Sequence, residues 1–79
     1  MTPEIIHQLL QQGLPCSHLE VEGDGRHFYA LIVSTVFEGL SRVRRHQTVY
    51  SALGDHMQEA IHALSMQTFT PQEWEARRG

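Results

Sequence analysis

The chain has 79 residues, with six arginines, no lysine, nine acidic residues and a formal net charge of −3, and this acidic balance counts against a general nucleic-acid binder. One cysteine cannot form an internal disulfide or a cysteine-only zinc or iron–sulfur site. The longest unbroken apolar run, Phe28–Val33, is far short of the ~20 residues of a membrane span. The amino terminus shows no basic segment followed by an apolar core, so the cytoplasm is the expected compartment.

Thr2-Pro3-Glu4 reads as a helix start: a capping hydroxyl, a proline suited to the first turn, and an acid facing the positive helix end. Ile5, Ile6, Leu9 and Leu10 share one face at helical spacing, and Gly13 is the expected stop, so a helix is predicted over about 2–12. Polar and apolar residues alternate over His18–Glu22, the period of a half-buried strand. Gly23-Asp24-Gly25-Arg26 is a turn that leads into His27–Ser34. The second strand carries Phe28, Ala30 and Ile32 on one side and Tyr29, Leu31 and Val33 on the other. Both sides are apolar, which predicts a central position in a sheet.

Ser41 is a candidate N-cap, and Val43, His46, Tyr50 and Leu53 form a stripe at steps of three and four that ends at Gly54. Arg44, Arg45 and Thr48 are assigned to the opposite, solvated face. Asp55–Gln58 resembles a capping box, and Ile61–Phe69 reads equally as continued helix or as strand. Thr70-Pro71-Gln72-Glu73 is a capping box with proline at the first helical position, and Phe69 and Trp74 stand at the spacing of a hydrophobic staple. The expected class is α+β, as one domain over residues 1–79.

The ordered set Gly25-Arg26-His27-Phe28, Ile32-Val33-Ser34, Phe37-Glu38-Gly39, Val43–Tyr50, Ile61-His62-Ala63-Leu64 and Thr70–Trp74 resembles the BolA family, and most of all its compact bacterial, IbaG-like branch. The resemblance implies a type II KH-like fold: helix, strand, strand, helix, turn, strand, helix, with a three-stranded mixed sheet and helices packed on one side. It resolves the ambiguous segment as a short helical turn followed by a third strand. It also implies a monothiol glutaredoxin as partner and a [2Fe–2S] cluster shared with that protein and glutathione, none being expected in the isolated chain. Carried over by residue, the ligands from this chain are His62, at the start of the third strand, and His27, from the hairpin. Imidazole nitrogen suits iron and raises a [2Fe–2S] potential relative to all-thiolate ligation.

His27 and His62 also have plain readings, as an exposed strand-end histidine and a half-buried strand histidine. His46, in the Arg-His signature, is read as structural: a ring packed between Val43 and Tyr50 with one nitrogen hydrogen-bonded. Phe69 and Trp74 are likewise structural. His7, His18 and His56 fall on polar faces and are read as solvated, and Cys16 as a partly buried filler in the connection after the first helix. Arg42, Arg44 and Arg45 form a basic cluster suited to a partner protein or to phosphate. The connection Phe37-Glu38-Gly39-Leu40-Ser41 has one glycine and an acid where KH domains carry a Gly-x-x-Gly clamp, which weakens an RNA-binding reading. No Ser/Cys–His–acid set, phosphate-binding glycine loop or paired carboxylates appear. The leading expectation is a non-enzymatic adaptor in iron–sulfur cluster trafficking, with a KH-like nucleic-acid-binding regulator as the alternative. No membrane association is expected, and the free chain is expected as a monomer or weak homodimer.

Overall fold

In the computed structural model, which describes residues 2–57 and 63–78, helix α1 runs from Pro3 to Gly13 and opens on Thr2, whose Oγ1 accepts the Ile5 N–H at 3.3 Å. Its apolar face buries Ile6 and Leu10. Gly13 is the last residue of the helix, and Leu14 is extended beyond it. A Cβ on Gly13 would stand 2.9 Å from Ala52 Cβ. The glycine there serves close approach to the backbone around Ala52, not the left-handed backbone expected of a stop signal.

Strand β1 (Cys16–Gly23) and strand β2 (Phe28–Ser34) pair antiparallel, with an irregularity between Cys16 and His18. Cys16 thus belongs to the strand and not to the connection, and partial burial pushes its thiol pKa up. The hairpin turn is built by Asp24, whose Oδ1 accepts the N–H groups of Arg26 and His27, both at 2.9 Å. Gly25 adopts φ +95°, and a Cβ on Gly23 would come within 2.5 Å of the His27 carbonyl oxygen. After β2, a 3₁₀ turn (Thr35–Phe37) inserts Phe37 into the core. Ser34 is fully buried: its hydroxyl donates to the Pro15 carbonyl and accepts the Val36 N–H, so the polar group is satisfied.

Helix α2 (Arg42–Leu53) is capped by Ser41, whose Oγ accepts the Arg44 N–H, and ends at Gly54, φ +64°. It crosses over to strand β3 (Leu64–Phe69), which pairs parallel with β2 from Phe28↔Leu64 to Val33↔Phe69. A 3₁₀ turn (Gly54–Met57) follows α2, and Gln58 of the expected capping box lies outside the described residues. The sheet order is β1-β2-β3, so β2 is central and the sheet mixed. This is the α+β arrangement expected from the sequence.

α1 and α2 cover one face of the sheet, where Ile6, Leu10, Phe28, Ala30, Ile32, Val49 and Leu53 form the core with Phe37 and Leu64. The last helix, α3 (Pro71–Arg78), closes one end of the molecule through the Thr70 capping box: Thr70 N–H donates to Glu73 Oε1 and Glu73 N–H to Thr70 Oγ1. The Phe69 and Trp74 rings lie 5.6 Å apart, as a staple requires. Trp74 also stacks on His18 at 4.9 Å. Side chains alternate along strands, so His18, Val33 and Phe69 form one row on the sheet face opposite the core, and Trp74 roofs it.

Candidate functional site

His27 follows the Asp24 turn and precedes Phe28, the first residue of β2. Its backbone N–H is tied to Asp24, while its exposed ring makes no hydrogen bond among the described residues. The His27 and Arg26 N–H groups hold the Asp24 carboxyl below the usual carboxylate range. The ring therefore projects from a turn whose backbone is fixed, and its nitrogens are available to a ligand. Phe28 is opposite Leu64 in the parallel register. His62, the other expected ligand, lies outside the described residues, as does the side chain of His56. Among the described residues, no group of three or more His, Cys, Asp or Glu side chains could hold a metal ion.

The three arginines expected to form one surface are divided. Arg42 and Arg44 are exposed. Arg45, expected on the solvated face, turns inward with only 14% of its side chain exposed. Its guanidinium meets the Glu73 carboxylate in a fork, at 2.7 and 3.1 Å, and donates to the Leu40 and Thr68 carbonyls at 3.0 and 3.3 Å. It also stands 6.0 Å over the Phe37 ring. The long apolar stem allows this: it packs along the core edge while the head meets its partners. Arg45 pushes the Glu73 carboxyl down to about 2, helped by the Thr70 N–H. Arg45 accordingly acts as the clasp between α2, β3 and α3.

With Arg45 inside, the buried face of α2 is rotated from the expected stripe, and it buries Val49 and Leu53. Val43 is 65% exposed, so it cannot sandwich His46. His46 is half-buried and makes no hydrogen bond among the described residues, against the expectation of a bonded core ring. It lines an open groove of about 370 Å³ with Arg42, Arg77 and residues 66–69 of β3. Arg77 lies 5.1 Å over the Phe69 ring. His18 is not the solvated residue expected, since it stacks on Trp74 and pairs with Glu20 Oε2 at 2.5 Å. His7 is half-buried rather than free on a polar face. The Arg45–Glu73 clasp and the His18–Trp74 stack were not apparent in the sequence. The capping box flagged Glu73, but only as a helix-start acid.

Comparison with known proteins identifies the family to which this fold belongs. The family described as BolA-like protein matches residues 7–73. The acid stress protein IbaG of Escherichia coli K12 is 40% identical over 70 residues, covering 87% of this chain and 83% of its own. The DNA-binding transcriptional regulator BolA of Haemophilus influenzae is 34% identical, covering 94% and 82%. The solved structure of a BolA homologue from Coxiella burnetii superposes with a TM-score of 0.82 at 47% identity, over 95% of this chain and 97% of that one. With the match spanning most of the chain and the fold shared throughout, the chain belongs to the BolA-like family.

Proposed function

We propose that this protein is an adaptor that binds a monothiol glutaredoxin and, through His62 and His27, helps hold a [2Fe–2S] cluster in transit. The observation that carries the reading is His27: an exposed imidazole without a hydrogen-bond partner among the described residues, on a turn fixed by Asp24. In sequence His62 lies two positions before Leu64, and Leu64 is opposite Phe28, the residue after His27. In this reading the partner's cysteine and glutathione supply the thiolates that a chain with one cysteine lacks, and the two histidines supply nitrogen to the second iron. The cluster provides the redox-active iron; this chain provides imidazole donors and a docking body. Imidazole ligates in its neutral form, so sharing weakens in mild acid.

The test is to assemble the cluster on a monothiol glutaredoxin with glutathione and follow its visible circular dichroism as this protein is added. The wild-type chain changes the spectrum, His62→Ala abolishes the change, and His27→Ala reduces it. An unchanged spectrum with the wild-type chain overturns the reading.

A second reading, a nucleic-acid-binding regulator, is favoured by the exposure of Arg42 and Arg44 and by the name of the Haemophilus relative. It predicts DNA or RNA affinity that falls steeply with salt and drops in Arg42→Gln/Arg44→Gln. No binding at low salt eliminates it.

A further inference from the structure

Among the described residues, the sheet face opposite the core is covered at one end only. Register places three rows on it: His18–Val33–Phe69, then Glu20–Leu31–Gln67, then Glu22–Tyr29–Ser65. Trp74 roofs the first row. The other two form an open groove of about 460 Å³, in which Tyr29 is 54% exposed. Both carboxylates stand along the β1 side and neutral Ser65 and Gln67 along the β3 side; among the described residues no cationic side chain lines the groove, and the nearest, Arg77, donates to Gln67 Oε1 at 3.5 Å from the roofed end. Glu20 meets His18, whereas Glu22 has no ion-pair partner among the described residues. An apolar sheet face is ordinarily buried by a second layer, and this one carries net negative charge on one flank.

We propose that these two rows dock a basic amphipathic helix of a partner protein. Three strands at a spacing of ~4.8 Å span about 10 Å, the diameter of one helix. The Glu20 and Glu22 rows are separated by roughly 7 Å along the strand, close to the ~6 Å rise between helix positions i and i+4. A helix lying along β2 sets its apolar stripe on Tyr29 and Leu31 and directs lysines or arginines at i and i+4 toward the two carboxylates. The groove is lined by side chains from all three strands, and the backbone edges of the sheet lie outside it at β1 and β3, so an occupant of the groove itself meets side chains, as a helix does. The site lies on the opposite side of the sheet from α2 and adjoins the Arg42 groove only along β3, at Met66 and Gln67.

The experiment titrates the isotopically labelled full chain with a designed helical peptide that bears leucines at i, i+3, i+4 and i+7 and lysines four residues apart on the flank of that stripe, at i+1 and i+5, and with its twin carrying glutamate for each lysine. The lysine peptide shifts the amide resonances of Glu22, Tyr29 and Leu31, and its affinity declines with salt. Glu20→Gln/Glu22→Gln weakens it about tenfold while the rest of the spectrum keeps the native pattern. Equal binding of the two peptides, shifts confined to α2, or no binding at low salt overturns the proposal. Sedimentation of the free chain supplies one more arm: a self-dimer blocked by Tyr29→Glu assigns the face to a second copy and likewise overturns it.

Discussion

The two faces of β2 belong to one strand yet have different surroundings. Phe28, Ala30 and Ile32 are all buried under α1 and α2, whereas Tyr29, Leu31 and Val33 run from exposed through half-buried to fully buried. Composition does not distinguish the faces, since both are apolar. What differs is the covering element: two long helices on one side, and on the other one short helix that roofs the last row and touches the next only through Arg77 on Gln67. A face read as apolar is therefore not a face shown to be core, and on this strand the uncovered part coincides with the acidic groove.

Substitutions along the strand test this contrast by their relative size. Phe28→Ala, on the closed face, costs about 3–5 kcal/mol, a large share of what a domain of this size holds, and chemical denaturation reads it directly. Trp74→Ala removes the roof over His18 and Phe69 and costs about 1–3 kcal/mol, because that row is sealed by a single half-buried ring. Tyr29→Thr keeps strand propensity on the bare row and changes stability by about 0.5 kcal/mol or less. If Tyr29→Thr costs as much as Trp74→Ala, the second face is covered along its whole length and the contrast fails.

The clasp at the roofed end sharpens the comparison through pH. The Glu73 carboxyl, held at about 2 chiefly by Arg45, lies below its unfolded value. Its stabilising contribution is complete above the ordinary carboxylate range and is lost as pH falls toward about 2. Acid unfolding of the wild-type chain is steeper in this window than that of Glu73→Gln, which has no such charge to lose. Coincident acid transitions in the two proteins would show that the clasp carries none of the dependence.

Capping chemistry was readable because it is local. Thr2, Ser41 and the Thr70–Glu73 box each act within three residues, and the two-residue alternation of β2 follows from its pleat. The facing of α2 was not readable. Residue type assigned Val43 inward and Arg45 outward, but Phe37, in the preceding turn, and Glu73, distant in sequence, draw the arginine stem across the core edge. His18 was misread for the same reason, since its partner Trp74 arrives with the last helix. The ligand pair is the extreme case. Nothing in the spacing of His27 and His62 relates them, and only family resemblance joined them.

The central position of β2 also bears on how the chain is made. Phe28–Ser34 is seven residues long, β-prone and uncharged, with neither proline nor glycine, the composition of a segment that readily stacks with copies of itself. In the finished protein β1 and β3 occupy both of its edges. During synthesis β1 precedes it, but β3 emerges only after α2 and the turn beyond it. One edge of the stickiest strand therefore stays open until residues 64–69 leave the ribosome. A chain cut short before Leu64 is left with that edge unpaired, and aggregation becomes its principal hazard.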